Sequence, residues 1–255
     1  MQDWNDCAAV VTGGASGLGA ATAARLAASG LRVALFDLDA ARGAEHADAI
    51  GGMFVRVDVS DPASVTAGLD AVEAALGTPR VLVNCAGIGP AAKTVSRGAA
   101  HDAALFDKVI RINLIGTFNC ASQAAARMVA ADPVDADGAR GVIVNTASVA
   151  AYDGQIGQVA YAASKGGIVG MTLPMARDLA DKGIRVCTIA PGLFLTPLLQ
   201  SLPEDVQQSL GAQVPFPSRL GDPDEYAAMV DHITRNPMLN GEVIRLDGAI
   251  RMAPR

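Results

Sequence analysis

The chain has 255 residues, 51% hydrophobic and only 4% aromatic, with 27 glycines and a net charge of -6 at pH 7. That length can bury most of its apolar surface in one large α/β domain or two small ones. The acidic balance argues against a polyanion-binding surface and the scarcity of aromatics against a base-stacking platform, so nucleic acid is not an expected partner.

Residues 8–11 read as a short apolar strand, followed by the turn Thr12-Gly-Gly-Ala-Ser-Gly-Leu-Gly19 and a helix-forming run over 20–29 that Gly30 stops. A strand, a Gly-rich turn and a helix N-terminus together make a phosphate cradle. Backbone N–H groups stand open, the helix dipole favours an anion, and missing side chains let a pyrophosphate approach. The spacing of Gly13, Gly17 and Gly19 is GxxxGxG, not the GxGxxG of the standard dinucleotide fingerprint. The next strand, 31–36, ends in Asp37, 18 residues past Gly19 and close to the spacing of the acid that binds an adenosine ribose. A carboxylate there accepts from both ribose hydroxyls and repels a 2′-phosphate. No Arg or Lys stands at 14–16 or 38–40, so NAD is favoured over NADP.

The third strand, 53–59, carries Asp58, whose carboxylate suits an adenine amino group, and Ser60-Asp-Pro caps a helix to about 76. Strand 81–84 then runs into Cys85-Ala86-Gly87, a turn of small residues that fits beneath a cofactor. Residues 88–101 show no periodicity and read as an exposed arm carrying Lys93 and Arg97. A long helix, continuous or interrupted, is expected over about 102–129 with Asn113 in its middle. An amide amid Ile112, Leu114 and Ile115 faces the core as a satisfied packing group or else as a functional one. An acidic loop over 132–138 precedes the buried strand 141–145, and Ser148 lies just past that strand's carboxyl end, where substrate binds in open α/β sheets.

Tyr161 and Lys165, four apart on the next helix, share a face. A free phenol with a pKa of about 10 is a poor base at neutral pH, but an adjacent cation stabilises the phenolate. Tyr161 is therefore the candidate general acid/base. The helix runs to about 181 despite Pro174, and strand 184–190 breaks at Pro191-Gly192. The segment from 192 to 216, with Leu193, Phe194, Leu195, Leu198 and Leu199, then projects over the site as a lid or packs at an oligomer contact. A helix over 224–233 and a strand over 241–246 close the chain. Repeats and linkers are absent, so residues 1–255 are expected to form a single domain.

Cys7, Cys85, Cys120 and Cys187 are scattered without a CxxC pair, and His46, His101 and His232 lack ligand spacing, so no metal site is expected. Free thiols suit a reducing compartment. The acidic N-terminus resembles neither a signal nor a basic transit peptide, and no apolar run approaches about 18 residues. A cytoplasmic protein without a membrane span is expected.

Taken jointly, Thr12-Gly13-x-x-x-Gly17-x-Gly19, Asn84-Cys-Ala-Gly87, Asn113, Ser148, Tyr161-x-x-x-Lys165 and Pro191-Gly192 resemble the short-chain dehydrogenase/reductase family along essentially the whole chain. Longer runs, among them Asn145-Thr-Ala-Ser-Val-Ala150 and Gln213-Val-Pro-Phe-Pro-Ser-Arg-Leu-Gly-Asp222, are similar to its type II 3-hydroxyacyl-CoA dehydrogenase subfamily. The resemblance implies a Rossmann-type, doubly wound parallel sheet of about seven strands with helices on both faces, and a homotetramer. It implies that Ser148 orients the substrate oxygen, Tyr161 exchanges its proton, Lys165 lowers the tyrosine pKa and binds the nicotinamide ribose, and Asn113 holds a water. It also implies that Ser16, Leu18, Asp37, Asp58, Val59 and Cys85 line the cofactor with Phe194 and Thr196 over its nicotinamide end. Cys85 stands where most of the wider family has Asn.

The implied reaction is NAD-dependent oxidation of a short or branched (S)-3-hydroxyacyl-CoA, with hydroxysteroids as further substrates. Its rivals are an NADPH-dependent 3-oxoacyl-carrier-protein reductase, against which Asp37 argues, and a non-catalytic binding subunit. CoA phosphates need cations, and Lys93 and Arg97 are the candidates in the arm.

Overall fold

Uninterrupted aliphatic runs become central strands here because both of their faces are covered. In a computed structural model that describes residues 2–254, β1 (Ala8–Thr12) leads into α1 (Gly17–Ala28), β2 (Arg32–Asp37) into α2 (Ala40–Ile50), and β3 (Met53–Arg56) into α3 (Pro62–Leu76). Met1, Arg255 and the side chain of Leu198 lie outside the described residues. After β4 (Pro79–Asn84) come the two-residue strands β5 (Val95–Ser96) and β6 (Ala99–Ala100), α4 (Ala103–Ile110), a π-turn (Arg111–Ile115) and α5 (Gly116–Ala130). Then β7 (Gly141–Thr146), α6 (Val159–Ala180), β8 (Ile184–Pro191), α7 (Pro197–Gln200), α8 (Glu204–Gly211), α9 (Pro223–Arg235) and β9 (Val243–Leu246) complete the chain.

Seven strands form one parallel sheet in the order β3-β2-β1-β4-β7-β8-β9. Every residue of β1, β7 and β8 is buried, which is why these segments show no polar alternation. On one face Leu26 of α1 and Tyr226, Val230 and Ile233 of α9 join Val11, Val83, Val144 and Ile189 in a single cluster. On the other, Val65 and Leu69 of α3 and Ala121 and Met128 of α5 meet Val10, Leu82 and Ile143. Strand order reverses between β1 and β4, so a crevice opens at their carboxyl ends.

Helix starts follow the aspartates. Asp39, Asp61, Asp102 and Asp222 each accept a backbone N–H of the helix they precede, a cap worth about 1 kcal/mol. Asp222 and Glu225 complete a reciprocal capping box. Arg185, only 8% exposed on β8, donates to the carbonyls of Ile233, Thr234 and Leu239 and to Gln2, anchoring the end of α9 to the sheet. No helix among the described residues is long and apolar enough to cross a membrane.

The structure departs from the sequence expectations in two places. β3 stops at Arg56 instead of continuing to 59, because Asp58 turns the chain: its N–H donates to the Ser64 hydroxyl and its carboxylate accepts from the N–H and hydroxyl of Ser60. The 88–101 arm folds its tip into the β5–β6 hairpin, with Arg97 and Gly98 at positive φ in the turn. The helix expected over 102–129 takes its interrupted form, with α4 and α5 joined by the π-turn that contains Asn113.

Candidate active site

The crevice holds a cavity of about 950 Å³, within the range of small-molecule sites. Its first wall is the β1–α1 turn. Gly13 has φ +65°, and a Cβ there would stand 2.8 Å from the Ala86 nitrogen, so the turn closes against the end of β4 only with glycine. Gly17 also has positive φ, and a side chain on Gly19 would overlap the Gly13 carbonyl. α1 leaves the N–H groups of Gly17, Leu18 and Gly19 without intrahelical partners, and its first turn carries no acid. These residues and Ser16 face the cavity, an arrangement that fits a pyrophosphate.

At the far side of that turn Asp37 accepts the Ala15 and Asp39 N–H groups, each at 3.0 Å, which fixes its carboxylate at the cavity wall. Asp58 and Val59 line the neighbouring stretch, and Cys85, Ala86 and Gly87 form the floor. Pro191, Gly192, Phe194 and Thr196 line the opposite end. The 192–216 segment holds α7 and α8 and contributes Leu193, Phe194 and Leu199 to the wall; Leu195 is half-buried outside it.

Ser148, Tyr161 and Lys165 line the same cavity beyond the floor formed by Cys85, Ala86 and Gly87. Ser148 follows β7 and accepts the Ala150 N–H at 3.1 Å, which leaves its hydroxyl proton free for another partner. Burial pushes the Tyr161 phenol up from its ordinary value, and a hydrogen bond with Ser148 pulls it back. Lys165 Nζ lies 5.6 Å from the Tyr161 ring centroid and donates to the Thr146 carbonyl at 2.7 Å. Burial pushes Lys165 down to about 8. The ammonium is turned toward a carbonyl, and desolvation is the largest influence on both groups.

Asn113 does not line the cavity. Its side chain is the satisfied core amide: Oδ1 accepts the Ile88 N–H at 2.8 Å, and Nδ2 donates to the Ile88 carbonyl at 2.8 Å and the Ser164 hydroxyl at 3.1 Å. It thereby clamps the chain beyond β4 to the helix of Tyr161 and Lys165. A Cβ on Gly87 would lie 3.2 Å from Asn113 Oδ1, so this clamp also demands a small residue there. Lys93 lines a smaller depression of about 380 Å³ that shares Gln155 and Gln158 with the main cavity, whereas Arg97 sits exposed on the hairpin tip and lines neither.

The family model for short chain dehydrogenases matches residues 7–207. The chain belongs to the short-chain dehydrogenase family. It is therefore an oxidoreductase that works with a nicotinamide cofactor, and the glycine cradle and open α1 N-terminus fit one. Among curated relatives, the chain is 56% identical over 250 residues to human 3-hydroxyacyl-CoA dehydrogenase type-2, covering 96% of this chain and 95% of the relative. The Drosophila melanogaster protein of the same name is 55% identical over 249 residues, covering 96% and 97%. A crystal structure of 3-hydroxyacyl-CoA dehydrogenase type-2 from Mycobacterium avium superposes with a TM-score of 0.94 at 45% identity, covering 100% of both chains.

Sequence reasoning missed part of the short-chain dehydrogenase cleft. Asp107 and Arg111 of the α4 region, Gln155, Gln158 and Met252 all line it. Gln158 lies three residues before Tyr161, so the shared helix face was a readable signal. Asp107 and Arg111 are four apart and equally readable. Met252 reaches the cavity because the C-terminal segment is tied to the 153–157 loop by Ile156 N–H to the Pro254 carbonyl and Gln155 Nε2 to the Ala253 carbonyl, and no local pattern announces that.

Proposed function

We propose that this protein uses NAD to oxidise (S)-3-hydroxyacyl-CoA thioesters with short or branched acyl chains, and hydroxysteroids in the same cleft, to the corresponding ketones. The observation that carries the reading is one continuous cavity with the glycine cradle and Asp37 at one end and Ser148, Tyr161 and Lys165 at the other. The names of the human and fly relatives support the substrate class. The Asp37 carboxylate supports NAD, because it suits two ribose hydroxyls and repels a 2′-phosphate.

NAD, when bound, supplies the hydride acceptor. Gly13, Ser16, Gly17, Leu18 and Gly19 would hold its pyrophosphate, Asp37 its ribose, and Asp58 and Val59 the adenine. Cys85, Ala86, Gly87, Pro191, Gly192, Phe194 and Thr196 would enclose the rest. Ser148 turns its hydroxyl from Tyr161 to donate to the substrate oxygen and orient it. Tyr161 accepts the alcohol proton on its phenolate oxygen as the C–H bond breaks. Lys165 keeps a positive charge beside that oxygen, and Asn113, through Ile88 and Ser164, holds the two walls in register. The 192–216 segment acts as a lid. Lys93, in the depression that shares Gln158 with the cavity, would meet CoA phosphate.

The active form would be a homotetramer, which would cover apolar side chains such as Phe118, 51% exposed on α5, and Leu173, 44% exposed on α6. Four unpaired thiols suit the cytoplasm. The test is steady-state turnover of 3-hydroxyacyl-CoA substrates of graded length and branching, with NAD and with NADP. High kcat/KM with NAD on short or branched thioesters is expected. A preference for the phosphorylated cofactor, or for carrier-protein thioesters, would remove this reading.

A further inference from the structure

Among the described residues, the Lys165 ammonium donates to one protein group, the carbonyl of Thr146. Thr146 is the last residue of β7, where the sheet ladder ends and the chain turns out toward Ser148. A strand-end carbonyl has fewer neighbours to fix it than one inside the sheet. Here the restraint comes from the side chain of the same residue: Thr146 Oγ1 lies 2.7 Å from the hydroxyl of Tyr226, which is 0% exposed on α9. Thr146 Oγ1 also donates to Cys85 Sγ at 3.5 Å, and Cys85 Sγ lies 3.8 Å from the Tyr226 hydroxyl. Sulfur is a weak acceptor, so the oxygen–oxygen bond is the strong one. The Tyr226 ring packs edge-on against Phe194, 6.5 Å between centroids, and Arg185 pins the end of its helix to β8. α9 lies beyond residues 7–207, the part that matches the family model.

We propose that Tyr226 is a positioning residue for the dehydrogenase reaction: through the Thr146 hydroxyl it fixes the carbonyl that holds the Lys165 ammonium beside Tyr161. The titratable groups near Lys165 are Tyr161 on its own helix and Cys85 past β4, with Tyr226 of α9 one step removed through Thr146, while Asp107, Lys108 and Arg111 lie on the α4 wall of the same cavity. Among the described residues, the acceptor that the protein offers the cation is the neutral Thr146 carbonyl. In a buried site an error of about 1 Å in such a group is enough to cost up to about 100-fold in rate.

The inference rests on the oxidoreductase reading, and two readouts separate its failure from a wrong substrate. The first needs no substrate or cofactor: in protein carrying carbon-labelled lysine, NMR follows the ε-carbon of Lys165, assigned by its loss in Lys165→Met, as pH is raised. Tyr226→Phe keeps the ring and removes the hydroxyl, and Thr146→Val keeps the shape and removes the other partner. Each should lower the Lys165 midpoint by about half a unit or more relative to the parent, because the ammonium loses a fixed acceptor. The second is turnover of whichever secondary alcohol the parent oxidises. Each variant should lose about 5- to 20-fold in kcat, with KM within about twofold, the double variant should be no worse than either single one, and Thr146→Ser should restore most of the rate. An unmoved lysine midpoint, or additive losses in the double variant, overturns the proposal.

Discussion

Asp37→Ser combined with Leu38→Arg should turn the cofactor preference around. Asp37 sits half-buried at the cavity wall, held by the Ala15 and Asp39 N–H groups, and Leu38 beside it is 51% exposed on the same wall. Two hydrogen bonds from ribose hydroxyls to a carboxylate are worth about 1.5–3 kcal/mol each, so losing both costs at least about 3 kcal/mol, or about 150-fold in kcat/KM for NAD. Removing the carboxylate also lifts its repulsion of a 2′-phosphate. That repulsion is about 4 kcal/mol for unit charges 4 Å apart near a surface, and about half of it survives solvent screening. Asp39 is already paired with Arg42 at 2.6 Å and would not neutralise the new guanidinium. The ratio of kcat/KM for NAD over that for NADP should therefore fall about 5,000-fold, read from near-ultraviolet absorbance of the reduced nicotinamide. Ala15 and Asp39 lose an acceptor but regain water, so the melting temperature should drop by only about 3–6 °C. A ratio that moves less than about tenfold in a variant that melts as expected would refute the assignment of the ribose to Asp37.

Tyr161→Phe should lower kcat about 1,000-fold while leaving NAD affinity, measured by fluorescence titration, within about threefold; a variant that keeps a tenth of the parent rate would exclude the phenol as proton carrier. Lys165 has its folded value pushed down to about 8 from 10.5, so between those values the unfolded chain binds more protons and this residue's contribution to stability rises with pH. Tyr161 and Cys85, both pushed up by burial, act in the opposite sense, so the quantity to compare is the difference between parent and Lys165→Met in urea midpoints at about pH 8 and about pH 10. The parent should gain on the variant across that interval, and an unchanged or shrinking difference would contradict it. Arg185→Met strands the carbonyls of Ile233, Thr234 and Leu239 and should cost about 3–5 kcal/mol in chemical denaturation, with a loss under about 1 kcal/mol arguing that water replaces the guanidinium.

Much of the site was legible because its determinants are local. The Gly13, Gly17, Gly19 spacing, Asp37 at a strand end, and Tyr161 and Lys165 four apart each report their chemistry within one turn or one strand end, and all line the cavity. Of the aspartates that start helices, only Asp61, within Ser60-Asp-Pro, was read as a cap. What stayed hidden is set by distant partners. Nothing near Thr146 announces that its hydroxyl will meet Tyr226, 80 residues later, or that its carbonyl will accept a hydrogen bond from the Lys165 ammonium. The electrostatic balance at Tyr161 was also unreadable, because helical spacing says two groups are neighbours but not which way an ammonium points or how deeply both are buried. β3 was overextended because Val57 and Val59 look like strand residues, while the Asx turn at Asp58 that ends the ladder depends on Ser60 and Ser64.

The π-turn at 111–115 works as a phase adjuster between two rods. Each residue of an α-helix advances the side-chain direction by about 100°, so a single extra residue rotates everything on one side relative to the other by roughly a quarter-turn. That offset lets α4 present Asp107 and Lys108 to the cleft while α5 keeps Cys120, Ala121, Ala124 and Met128 against the sheet. Deleting one residue there to restore regular helix would force a choice between a sealed core and a properly faced cleft wall, which makes this short stretch a poor place for trimming in any redesign.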